Sequence, residues 1–151
     1  MNVRNYTWDT ALDKAASKGH SEVCTLLLEN QIDKSPRAID GWNALHWAAL
    51  NGQLDVCKVL FEFKFDINQR DKDGKSPLYL AAEEENLEVC KFLIEKKAEK
   101  HRLNGQGYAP VHLIRKGNLE LCSILIQNEV DANVQNINGN TPLHQAVLDG
   151  N

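Results

Sequence analysis

The chain has little of what would mark a membrane, secreted or nucleic-acid-binding protein. No apolar run approaches the roughly 18 residues of a spanning helix. Met1 to Asp13 lacks the apolar stretch that a secretory signal needs. Basic residues do not predominate: 17 Lys and Arg stand against 21 Asp and Glu, a net charge of −4. A bulk electrostatic grip on nucleic acid needs a basic stripe, so no nucleic-acid partner is expected. No Cys-x-x-Cys pair is present to seed a zinc site. No Ser/His/Asp, Cys/His, phosphate-loop or paired-carboxylate arrangement stands out either. The expectation is a chain that is not an enzyme and carries no catalytic residue, cofactor or metal.

What is present is enough apolar residue, 42% of 151, to build one sizeable core. Charged residues, at 25%, are near the average for globular chains. The four cysteines reveal the organisation. They fall at Cys24, Cys57, Cys90 and Cys122, with spacings of 33, 33 and 32. Their surroundings match: Glu22-Val23-Cys24, Asp55-Val56-Cys57, Glu88-Val89-Cys90 and Glu120-Leu121-Cys122. Upstream of each lies a second recurring segment: Thr10-Ala11-Leu12-Asp13, Asn43-Ala44-Leu45-His46, Ser76-Pro77-Leu78-Tyr79 and Ala109-Pro110-Val111-His112. A fifth copy reads Thr141-Pro142-Leu143-His144. Periodicity of this kind is the signature of a repeat architecture.

Each unit reads as a helix pair. Thr10, Asn43 and Ser76 are N-caps, whose side-chain oxygen accepts from a helix N–H that has no other partner. Proline just inside the cap costs nothing, because its missing N–H would be unpaired anyway. Gly19, Gly52, Gly117 and Gly150 end the first helix in the left-handed conformation. A second apolar helix follows, for example from Leu54 to Glu62, and then a polar linker such as Asp66 to Gly74 or Asp131 to Gly139, with turn dipeptides. Such a pair cannot bury its apolar face alone, so the units must stack. Ala15-Ala16, Ala48-Ala49 and Ala81-Ala82 let neighbouring first helices approach closely.

The Thr-Pro-Leu-His start, the Ala-Ala pair, the helix-ending Gly, the Asp66-Ile67-Asn68 linker and the 33-residue period resemble ankyrin repeats. The likeness spans nearly the whole chain in five registers; the Trp…Leu-Gly…Tyr pattern of tetratricopeptide arrays is absent. The resemblance implies an all-α solenoid of helix-turn-helix units joined by β-turn or hairpin linkers, four full repeats and a partial fifth. The units are 7–36, 40–69, 73–102, 106–135 and 139–151. There are departures. Asp13 and Tyr79 replace the motif His, and Thr10 with Asp13 makes a capping box. Glu85 stands at a first-helix Gly position. The second family Gly, after the second helix, is replaced by Gln31, Lys64, Lys97 and Glu129. The fourth unit is one residue short between His112 and Gly117, with Leu113-Ile114 in the Ala-Ala place and local distortion expected. The fifth stops before a second helix, leaving Leu143, Ala146, Val147 and Leu148 without a cover.

The resemblance implies binding of another protein. Family members use the concave face, made of linker tips and the outward side of the first helices. By register this face carries Tyr6, Ile39, Trp42, Leu50, Asn51, Lys75, Glu83, Glu84, Tyr108, Ile137, Asn140 and Leu148. Trp42, Leu50 and Tyr108 are candidate apolar anchors, aromatic residues being enriched in interface hot spots. The opposing reading is that Trp42 or Tyr108 folds onto its own solenoid; Trp47, one turn on, reads as packing. Glu83 and Glu84 would steer a partner bearing Lys or Arg. Lys96-Lys97 and Lys100-His101-Arg102 read either as recognition or as solvated surface. His46, His112 and His144 would tie one repeat to the next. Asn68 and Asn133 sit in the context modified by the asparagine hydroxylase of ankyrin linkers, and both are also ordinary structural residues of the family. Free cysteines at equivalent positions of stacked helices are too far apart for disulfides and read as buried hydrophobes. Four unpaired thiols suit a reducing compartment, cytoplasmic or nuclear. The expected state is a monomer, with association through the C-terminal edge as an option and neither membrane nor metal involved. The alternative reading is the targeting fragment of a larger enzyme, channel or effector.

Overall fold

A computed structural model of the chain describes residues 10–32, 40–113, 119–128 and 131–148. Eight α-helices lie among them: α1 Ala11–Lys18, α2 Ser21–Glu29, α3 Ala44–Leu50, α4 Leu54–Glu62, α5 Pro77–Glu83, α6 Leu87–Glu95, α7 Leu119–Gln127 and α8 Pro142–Leu148. A 3-10 turn, Pro110–Leu113, precedes α7, and no strand occurs among the described residues. The first helices stack on one another: α1 on α3, α3 on α5, α5 on the 3-10 turn and the turn on α8. The second helices form the other layer, α2 on α4, α4 on α6 and α6 on α7. The result is the expected all-α solenoid.

Local chemistry sets the helix starts. The Thr10 side chain accepts from Asp13 N–H while the Asp13 carboxylate accepts from Thr10 N–H, which completes the capping box. Asn43 accepts from both Leu45 and His46 N–H, and Ser76 from Tyr79 N–H. The interior follows from residue size. Ala16, Ala48, Ala49, Ala81 and Ala82 are completely enclosed, and so are Cys24, Cys57 and Cys90. Leu45, Leu60, Leu78 and Leu93 fill the space between the layers. Alanines at the crossings keep the first helices close, because nothing larger separates the backbones.

The helix ends show what the sequence departures demand. Gly19 and Gly52 have φ of 80° and 68°, the left-handed region where a side chain is strained. Glu85 takes the same conformation without glycine's freedom, at φ 59°. Gln31, Lys64 and Lys97 do so at 55°, 65° and 69°. Glycine is therefore missing at these positions, but the backbone conformation it serves is retained. Gly117, Gly150 and Glu129 lie outside the described residues.

The fourth unit begins as a 3-10 turn rather than an α-helix, in keeping with a unit one residue short. Ala109, Pro110, Val111 and His112 are buried there, and Leu113 packs against the core partly exposed. Ile114 lies outside the described residues.

Candidate interaction surface

The linkers turn back on themselves in a repeated way. Asp71, Asn104 and Asn136 each open a turn in which one side-chain oxygen accepts two backbone N–H groups. These come from Asp73 and Lys75, from Gln106 and Tyr108, and from Asn138 and Asn140, all at 2.8–3.0 Å. The same three residues donate their N–H to Lys75, Tyr108 and Asn140 carbonyls. Successive tips are then zipped together: Lys72 N–H donates to Asp40 O, Gly105 to Asp73 O and Ile137 to Gly107 O. At Gly105 a Cβ would stand 2.8 Å from that Asp73 oxygen, so the close approach needs glycine. Arg70 adds a second tie, from Nε to Gly74 O and from Nη2 to Leu103 O.

His112 locks the next linker in place. Its Nδ1 accepts from Ala109 N–H, and its Nε2 reaches Val134 O and Asn140 O at 3.1 and 3.2 Å. His46 is wholly buried, and its Nε2 faces the equivalent carbonyls of Gln69 and Lys75 closely enough to feel them, though without full hydrogen-bond geometry. Burial pulls the His46 imidazole down to about 4, against the opposing pull of Asp71. At Tyr79 a phenol replaces the imidazole, and it too is buried. His144 is exposed, with its Nδ1 on the Thr141 hydroxyl.

On this scaffold lie the residues the sequence pointed to. Tyr6 and Ile39 are outside the described set. Trp42 is partly buried and folds onto the solenoid: its Nε1 donates to Asp71 Oδ2 of the next linker at 2.9 Å, and its ring meets Trp47 of its own repeat edge-on at 4.7 Å. Trp47 Nε1 is buried beside it without a hydrogen-bond partner. Leu50 is partly exposed and Asn51 fully so, with the Asn51 amide turned back to Trp47 O. In the next row Lys75 reaches both Glu83 oxygens, at 2.7 and 2.9 Å, across the Tyr79 ring. Glu83 is therefore neutralised within the chain, whereas Glu84 is exposed. Tyr108 is half-buried, its ring edge-on to His112 at 6.0 Å. Asn140 is half-buried as well, its carbonyl engaged by His112. Ile137 and Leu148 are exposed at 72% and 68%.

Other expectations resolve by contact. Lys100 donates to Asn128 O, His101 Nδ1 accepts from Asp131 N–H, Arg102 pairs with Glu99, and Lys96 lies over the Phe61 and Phe92 rings. Most of the basic linker is thus tied into the fold. Asn68 Oδ1 accepts Glu99 N–H from the neighbouring linker at 2.8 Å, and Asn133 is exposed. Burial pushes the Cys24 thiol up to about 11 and those of Cys57 and Cys90 up to about 12, so these sulfurs are poor nucleophiles. The Cys122 side chain is outside the described set. No group of three or more metal-ligating side chains, and no helix long and apolar enough to cross a membrane, occurs among the described residues.

The sequence reading missed Asp71, Arg70 and Asn86. Asp71 carries both the hairpin and the Trp42 indole, and Asn86 Nδ2 donates to Ala49 O and Leu50 O of the preceding row. The signal for Asp71 was available, since Asn104 and Asn136 recur at the repeat spacing. Nothing in the pattern announces Arg70 or Asn86.

This architecture defines a repeat array of stacked helix pairs with hairpin tips. A family model for ankyrin repeats (3 copies) matches residues 15–104, and one for ankyrin repeats (many copies) matches residues 111–151. The chain belongs to the ankyrin repeat family. Comparison with curated proteins gives no match. Ankyrin repeats are generally protein–protein interaction modules and typically non-catalytic.

Proposed function

We propose that this chain is a non-catalytic scaffold that presents its concave face, the hairpin tips and outer side of the first helices, to a protein partner. The observation that carries the reading is the zipped row of tips. Backbone hydrogen bonds from Lys72 to Asp40, from Gly105 to Asp73 and from Ile137 to Gly107 hold successive tips at fixed spacing. A surface held in place before binding loses little conformational entropy when a partner docks. Trp42, Leu50 and Tyr108 are partly exposed on it and supply apolar area. The buried, unreactive thiols suit a reducing compartment, and the scaffold acts as a monomer, without metal or cofactor.

The test is an affinity capture from lysate with the wild-type chain and a Trp42→Ala/Tyr108→Ala variant whose fold is checked by circular dichroism. Retention by the first and loss from the second supports the concave face. Equal retention moves the site to the exposed apolar side of α8, with Leu143, Val147 and Leu148.

A further inference from the structure

The charge on the concave face changes sign across the aromatic row. In the row of α3, Trp42, Trp47 and Leu50 form an apolar strip with no ion pair of its own among the described residues. In the row of α5, both cations are already neutralised: Lys72 by Asp40 and Lys75 by Glu83. Glu84, at the C-terminal end of that row, is exposed and makes no ion pair among the described residues, whereas Asp73 at the tip shares the field of Lys72. On the other flank, the row of α1 ends in Lys18, an exposed cation in the last helical turn. Lys18 has no ion pair among the described residues either. The strip thus lies between an uncompensated positive edge and an uncompensated negative one.

From this we infer that the α3 row takes a polypeptide segment of ordered charge. Its bulky apolar side chain lies on Trp42 and Leu50, its Lys or Arg lies toward Glu84, and its Asp or Glu lies toward Lys18. Complementary potentials of this kind set orientation and exclude wrong partners more than they add affinity. The spacing follows from the fold. Adjacent helices of a stack lie about 8–10 Å apart. An extended chain advances about 3.3 Å per residue, so each charge falls about three residues from the apolar anchor. The inference rests on the concave-face reading.

The probe is a library of random linear peptides displayed on phage, selected against the wild-type chain, a Leu50→Ser variant, a Trp42→Ala variant and a Lys18→Glu/Glu84→Lys charge swap. All are checked for native circular dichroism. Leu50→Ser keeps the test decisive if Trp42→Ala, which releases Asp71, fails to fold. Wild type should enrich peptides with one bulky apolar residue flanked by acid on one side and base on the other. Affinity should fall about tenfold or more in Leu50→Ser, as for loss of an interface anchor. The charge swap should invert the preferred order of the flanking charges. Peptides lost in Leu50→Ser but without charge order, or with an order the swap leaves unchanged, overturn the inference and leave the concave face standing. Peptides that bind equally well to Leu50→Ser, or the absence of any enrichment, also overturn the inference, and the concave-face reading is then decided by the capture with Trp42→Ala/Tyr108→Ala.

Discussion

Leu78 and Leu143 stand at the same register of their repeats, one residue after a proline in a first helix. Leu78 is fully enclosed, because α3 lies on one side of it and the 3-10 turn on the other, whereas Leu143 in α8 is 74% exposed. The histidines one residue further along the motif show the same contrast: His46 is sealed while His144 is open. The local code is nearly identical, so the difference lies in what is stacked on it. A residue type in a repeat is a promise of burial that only a neighbour fulfils. The most direct way to break the comparison is to truncate both leucines. Leu78→Ala should cost about 2–5 kcal/mol in urea unfolding, for lost transfer energy and the cavity left behind. Leu143→Ala should change stability by less than about 0.5 kcal/mol, as for an exposed site. Equal costs would mean that α8 is covered in solution by something this structure does not show.

The histidines sharpen the contrast through pH. His46 titrates at about 4 in the folded chain against its ordinary 6.5, because its site excludes water. Between those values the unfolded chain binds a proton that the folded chain refuses, so stability falls as pH is lowered from about 6.5 toward 4. The loss is on the order of 3 kcal/mol, at 1.36 kcal/mol per pH unit. Replacing His46 with Gln should flatten this part of the profile in a series of urea melts at stepped pH. An unchanged slope would assign the acid sensitivity to another group.

The sequence told most about features that repeat and least about those that occur once. Caps, helix-ending glycines, paired alanines and cysteine positions recur, and each was legible because a physical requirement of the unit recurs with it. Even the substituted positions kept their meaning: Glu85, Lys64 and Lys97 hold the left-handed conformation that glycine would have provided. The candidate surface was legible as a set of positions but not as a set of orientations. Register placed Trp42 and Glu83 on the concave face, but it could not show that Asp71 draws the indole down or that Lys75 neutralises Glu83. The first depends on a carboxylate supplied by the next linker, and the second on the rotamers of a Lys and a Glu eight residues apart in one repeat, neither of which register encodes. The basic linker shows the same limit: Lys100 finds its acceptor, Asn128 O, in the next unit.

A second pair of equivalent residues tests that lesson at smaller scale. Asn86 donates to two carbonyls at the end of α3, at 2.8 and 2.9 Å, while Gln53, one row earlier, reaches Ser17 O at only 3.5 Å. Asn86→Ala should cost about 1 kcal/mol, the usual net worth of a hydrogen bond. Gln53→Ala should cost less than half as much in the same denaturant series. If the two cost the same, these inter-row amides act through packing rather than through their hydrogen bonds.

The smallest expected effect concerns the backbone. Gly52 and Glu85 close their first helices with nearly the same φ, 68° and 59°. A side chain in the left-handed region costs about 1–2 kcal/mol. Glycine gives back about 0.5–1 kcal/mol through the freedom it adds to the unfolded chain. Glu85→Gly should therefore stabilise the protein by about 0–1.5 kcal/mol, centred on roughly 0.75 kcal/mol, the difference of those two ranges. Glu85 also lines a groove with Glu88 and Glu120, which share Lys91, so Glu85→Gly removes a charge there as well as the strain. Glu85→Gln separates the two causes, because it removes the charge and keeps the strained backbone. A gain confined to Gly assigns the effect to conformation. An equal gain in Gln assigns it to the groove, and the left-handed turn at Glu85 then carries no measurable strain.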